Sequence, residues 1–107
     1  MSDVVLVLST VADDDSAESI AQTLVEEQLV ACANLLPPMT SIYRWRGHVE
    51  RDSERQLILK TTKALVPALE KRLKELHSFE LPEFIVISLE GSAPYLSWVV
   101  QETKELA

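Results

Sequence analysis

The chain has 107 residues, 47% hydrophobic and 25% charged, the balance of one ordinary globular domain. Ten Lys and Arg against seventeen Asp and Glu leave a net charge of -7, which argues against nucleic acid, whose binding needs a cationic surface to release counterions, and against anionic lipid. The only glycines are Gly47 and Gly91, so neither a G-x-G-x-x-G fingerprint nor a P-loop can be built.

Val4 to Leu8 is a continuous β-branched and aliphatic run, the pattern of a strand covered on both faces. Asp13-Asp14-Asp15-Ser16 ends it and supplies helix caps, with Asp15 and Glu18 at capping-box spacing. Ala17, Ile20, Ala21 and Leu24 recur at helical spacing, which predicts a helix from about Ser16 to Leu29. Val30 to Leu36 returns to strand character until Pro37-Pro38 interrupts it, since neither residue donates to a ladder. Strand character resumes over Thr40 to Arg46, a turn falls at Gly47, and Gln56 to Thr62 is again strand. Glu50 to Glu54 reads equally as strand or loop. A second helix runs from about Ala64 to Leu76 on the stripe Leu65, Leu69, Leu73 and Leu76, with Pro67 in its first turn. Phe84 to Leu89 is the last strand, and a third helix runs from about Pro94 to Glu105.

The predicted class is therefore α+β, in the ferredoxin-like order β-α-β-β-α-β with an extra C-terminal helix. Right-handed crossovers put both main helices on one face of an antiparallel sheet, and one short helix cannot cover the other face. The central hairpin sharpens the point. Ala31 to Arg46 and His48 to Thr62 would each span about 50 Å at ~3.3 Å per residue. A compact domain of this length is only roughly 30–35 Å across. A ribbon that outruns its sheet carries Tyr43 and Trp45 on an unpaired edge, so a homo-oligomer is expected. Cys32, the single cysteine, has no internal partner, and Met1-Ser2-Asp3 lacks a cationic leader. A reducing, cytoplasmic setting with no membrane span is the expectation.

Five segments together resemble the CutA family of divalent-cation tolerance proteins. They are Leu29-Val30-Ala31-Cys32-Ala33-Asn34 running to the proline pair, Thr40 to Gly47, Ile58-Leu59-Lys60-Thr61-Thr62, Leu76 to Glu83, and Tyr95-Leu96-Ser97-Trp98. The resemblance covers about Val4 to Val100. It implies a ferredoxin-like homotrimer with a trimer architecture similar to PII signalling proteins, and a non-enzymatic role in tolerance to divalent metals such as copper. No cofactor is obligatory; copper or another divalent cation is the candidate ligand. His77 falls in the family's His-Pro-Tyr-x-x-Pro-Glu region, here His77-Ser78-Phe79. Where members proposed to bind copper carry a cysteine in the first strand, this chain has Ser9.

His77 is the candidate metal ligand, neutral imidazole suiting copper and zinc; its alternative role is a helix C-terminal His favoured by the dipole. Lys60 groups by alternation with Gln56 and Ile58, and a Lys near a core needs a partner. Glu83 or Glu54 would supply an ion pair, or Lys60 and Glu83 would frame a small-anion site in an intersubunit cleft. Tyr43, Trp45 and Trp98 could line that cleft or anchor an interface. Cys32 reads as a small buried hydrophobe, His48 as a solvent-exposed turn neighbour, and Asp13 to Asp15 as capping and loop residues.

Two other function classes weigh against the tolerance reading. A PII-like small-molecule or anion-binding module is the alternative, built on the clefts around Lys60 and Glu83. An acylphosphatase-like enzyme would need a cationic phosphate loop after the first strand, where Ser9 to Asp14 is acidic. With two histidines no Ser/His/Asp order stands out, so no enzyme is expected.

Overall fold

The protein's structure, a computed structural model, describes residues 3–105. Chain order runs β1 (Val4–Ala12), α1 (Ser16–Glu26), β2 (Cys32–Leu35), β3 (Met39–Trp45), β4 (His48–Thr62), α2 (Val66–Leu76), β5 (Ile85–Ser88) and α3 (Ala93–Gln101), with a 3-10 turn, Lys63–Leu65, leading into α2. The fold is mixed α+β on one antiparallel sheet. Its strands lie in the order β2-β4-β1-β5, and β3 pairs further along β4.

The predicted second strand is divided. Pro37 and Pro38 lie between β2 and β3, and β2 pairs the C-terminal half of β4 while β3 pairs its N-terminal half. The ambiguous stretch Glu50 to Glu54 is strand, so β4 is one run of 15 residues. Only Glu54 to Thr62 of it pairs with β1. The remainder carries β3 out beyond the sheet as a two-stranded ribbon, and the molecule measures 44 × 24 × 24 Å. The ribbon closes at Arg46 and Gly47, both with positive φ, 50° and 84°. That pair makes the type I′ turn whose twist matches a hairpin.

Alternation on β1 and β4 sorts the two faces. Val5, Val7, Ser9 and Val11 oppose Thr61, Leu59, Leu57 and Arg55. All but Arg55 are buried, and the apolar ones form a single core with Ala17, Ile20 and Leu24 of α1 and Leu69 and Leu73 of α2. Leu6, Leu8, Ile58 and Lys60 point to the other face, where they are only half-buried. There α3 covers one end, with Val99 packed against Val4 and Ala31. Ile85 and Ile87 of β5 share this face and are exposed, while Val86 and, along the ribbon, Ile42 (60%) and Val49 (64%) are exposed on the opposite face.

Three local expectations are corrected. The first helix ends at Glu26, not Leu29. Gln28 takes φ 59°, and Leu29 N–H and Gln28 N–H bond back to Leu24 O and Val25 O at 3.1 and 3.0 Å. This is a Schellman cap closed without glycine. Asp14, not Asp15, secures the helix start: its Oδ1 accepts from Ser16 N–H at 2.8 Å and Ser16 Oγ at 2.5 Å. Those bonds hold the Asp14 carboxyl below its usual range. The third helix stops at Gln101, where Thr103 Oγ1 bonds back to Val99 O and Val100 O at 3.1 Å.

Candidate functional site

Beyond the end of β5 the sheet has a gap, and a broad concavity lies over it. β5 pairs β1 only from Val5 to Leu8, so Thr10 and Ala12 are left without a neighbour on that side. The segment from Ser78 to Phe84 passes here without strand structure. Between it and the ribbon lies a groove of about 1090 Å³. Its floor is Thr10 and Ala12 of β1 with Glu54 and Gln56 of β4. Met39, Tyr43 and Trp45 rise from β3, and Phe79, Leu81 and Phe84 face them from the far wall.

Hydrogen bonds fix both walls. Gln56 Nε2 donates to Ser9 O at 2.7 Å and to Glu83 Oε2 at 3.0 Å, tying the far wall to the floor. Arg46 at the ribbon tip donates through Nη2 to both oxygens of Glu80, at 2.8 and 2.9 Å. This pair is two-thirds exposed, so its value is geometric more than energetic. On the ribbon the Tyr43 hydroxyl donates to Asp52. That hydrogen bond, with desolvation and the nearby Asp52, Glu54 and Glu50 charges, pushes the phenol up to about 12.

His77 caps the C-terminus of α2, extended at φ −84° and ψ 143°. Its Nε2 meets Thr10 O at 2.5 Å and its Nδ1 accepts from Phe79 N–H at 3.0 Å. A carbonyl only accepts and an amide N–H only donates, so the ring is the neutral Nε2–H tautomer with its one lone pair in use. Its ring also meets that of Phe79, centroids 4.5 Å apart and planes tilted by 55°. His77 therefore pins the far wall to β1. A metal ligand needs a free lone pair, and among the described residues no three His, Cys, Asp or Glu side chains converge as a metal centre would require. The donor set does not fit a copper centre within one subunit. Ser9 faces the core with its Oγ buried and unpartnered.

The remaining sequence-picked residues divide between two places. Tyr43, Trp45 and Glu83 line the groove. Lys60 does not: its Nζ lies 5.6 Å over the ring of Tyr95 in α3, whose other neighbour is Trp98 at 5.5 Å. The expected Lys60 ion pair with Glu83 or Glu54 is absent among the described residues. Lys60 faces Leu6, four residues along β1 from the Thr10 that faces Gln56, so Lys60 and Glu83 do not meet within one subunit. Cys32 is half-buried, its Sγ 3.8 Å from Asn34 Oδ1, and His48 is exposed. Gln56, Tyr95 and Phe79 were not singled out as site residues, and Glu54 was named only as a partner for Lys60. The signal for Gln56 and Glu54 was present, since alternation places both on the same face as Lys60. The position of Phe79 depends on the irregular path after α2, which carries no periodicity.

Fold and site together define a small α+β protein with an overhanging ribbon and an aromatic, acidic groove. The family model described as CutA1 divalent ion tolerance protein matches residues 5–102. A divalent-cation tolerance protein CutA of Thermus thermophilus is 44% identical over 99 residues, covering 92% of this chain and 96% of that one. The human protein CutA is 42% identical over 99 residues, but the chain spans only 55% of its length. Among solved structures, the Thermus protein superposes with a TM-score of 0.91 at 43% identity, covering 94% and 99% of the two chains. CutA1 of Oryza sativa gives 0.92 at 33% identity, covering 98% and 97%. The chain belongs to the CutA1 divalent ion tolerance family. Among the described residues no helix is long and apolar enough to cross a membrane.

Proposed function

We propose that the chain acts in the cytoplasm as a non-enzymatic homotrimer of ferredoxin-like subunits in tolerance to divalent metals, copper among them. The family assignment supports the metal connection. The assembly rests on one observation, the exposed apolar side chains along two bare strand edges, Ile42 and Val49 on the ribbon and Ile85, Val86 and Ile87 on β5. Exposed strand edges of that kind are templates for pairing with another chain, and Ile85 and Ile87 adjoin the half-covered sheet face. Self-pairing satisfies both at once. Direct metal contact, on this reading, is weak within one subunit, because His77 already spends its lone pair on Phe79. Among the described residues no further donors converge with it, so a neighbouring subunit would have to supply them.

Titration calorimetry of chelator-stripped protein with copper, zinc and cobalt tests this. The expected result is saturation only at high metal concentration, with His77→Ala lowering the melting temperature more than it changes metal uptake. Tight uptake abolished by His77→Ala would overturn it.

A further inference from the structure

The two faces of the ribbon carry opposite charge. Successive side chains on a strand alternate between faces, and the β3–β4 register places Glu50 opposite Tyr43, Asp52 opposite Ser41 and Glu54 opposite Met39. These three carboxylates share one face, which continues the open side of the sheet, because Glu54 also opposes Ala12 and Gln56 opposes Thr10. On the other face lie Arg51 opposite Ile42, Arg44 opposite Val49, and Arg55, which opposes Val11 of β1. None of these six charged groups forms an ion pair among the described residues. Arg44 and Arg55 donate only to the carbonyls of Gly47 and Leu36, and Asp52 accepts from the neutral Tyr43 hydroxyl.

The apolar groups are sorted the same way. The arginine face carries the exposed aliphatics Ile42 and Val49. The carboxylate face carries Tyr43 and Trp45, against which a guanidinium packs well. Each face therefore lacks what the other holds. A two-fold contact would bring one face against its own copy, like charge on like charge; a head-to-tail contact brings arginines onto carboxylates. Resting on the self-association proposed above, we infer that the arginine face of one ribbon seats on the carboxylate face of the next copy. The occupant is a second copy of this chain, and the contact is heterologous, the kind that closes into a ring.

Charge reversal tests the pairing. One variant carries Arg44→Glu with Arg51→Glu, a second carries Glu50→Lys with Glu54→Lys, and a third carries all four changes. Sedimentation equilibrium should find each two-change variant dissociating at a protomer concentration about tenfold or more above the parent's. The four-change variant should assemble again, because its faces are once more opposite in sign. Two-change variants that assemble as tightly as the parent would leave both faces open to a different protein and overturn the inference. A four-change variant no better than either two-change variant would overturn it too. A parent at the mass of one subunit would overturn self-association itself, whereas an assembled parent indifferent to reversal overturns only the pairing of faces. Should a reversed variant fail to melt cooperatively, the parent decides: subunit exchange between isotope-labelled and unlabelled protein, followed by native mass spectrometry, should be about tenfold faster in about 0.5 M salt than in about 0.05 M. Exchange indifferent to salt would overturn the inference.

Discussion

Ser9 is the residue whose replacement has the least intuitive sign. Its side chain is 0% exposed, lies on the helix-facing side of β1 opposite Leu57, and its Oγ has no hydrogen-bond partner. A buried hydroxyl left unsatisfied costs about 1–3 kcal/mol. Ser9→Ala removes it and leaves a void on the order of 10 Å³, which costs only about 0.2 kcal/mol at ~24 cal/mol per Å³. The net expectation is a gain of about 1 kcal/mol, or a melting temperature higher by roughly 4–8 °C for a domain of this size. Thr61 supplies the opposite case on the neighbouring strand. Its Oγ1 donates to Leu29 O at 2.7 Å inside the same core, so Thr61→Val, of equal shape, should lose about 1–2 kcal/mol. Both variants are compared with the parent by calorimetric melting at matched protomer concentration, because self-association shifts the midpoint. A Ser9→Ala protein that melts below the parent would refute the reasoning, since Oγ would then have a partner whose loss is felt.

Two further outcomes follow from local geometry. Tyr43 holds its proton up to about pH 12 through Asp52. A group whose folded pKa is raised contributes stability that is full below its unfolded pKa, the usual 10.0, and that is lost as pH rises through the folded value. Tyrosinate absorbance should therefore show one high-pH transition that is missing in Tyr43→Phe and moves downward in Asp52→Asn. An unmoved transition would mean that the cross-strand bond is not formed in solution. Gly47 has φ +84° with open space around it, so Gly47→Ala meets no clash but forces a side chain into the left-handed region. Urea unfolding should register a loss of about 1 kcal/mol, and no loss would mean that the ribbon turns differently.

What could be read from the residues alone was whatever repeats. The 3.6-residue stripe Leu65, Leu69, Leu73 and the alternation of Val5, Val7 and Val11 against the chain's second face are periodic. They gave the helices, the strands and the excess length of the ribbon. Pro37-Pro38 marked the division between β2 and β3 because a missing N–H has only one consequence in a sheet. What escaped was set by single contacts at a distance. The Schellman cap at Gln28 lacks the glycine that usually announces it. The neutral role of His77 depends on Thr10 O, 67 residues away in sequence. Lys60 was correctly placed near the core, but its partner proved to be the ring of Tyr95 on α3, whose packing the strand pattern does not encode. The groove was legible only in part: Tyr43, Trp45 and Glu83 were picked out, while their opposite wall lies in the aperiodic run from Ser78 to Phe84.

The claim beneath the proposed function is that the bare ribbon and β5 edge are covered by copies of the same chain. Sedimentation equilibrium of the untagged protein at nanomolar to micromolar concentration measures this directly. A single species of three times the 12.0 kDa subunit mass is the predicted result. A folded, cooperative species at the mass of one subunit, with its ribbon in water, would contradict it.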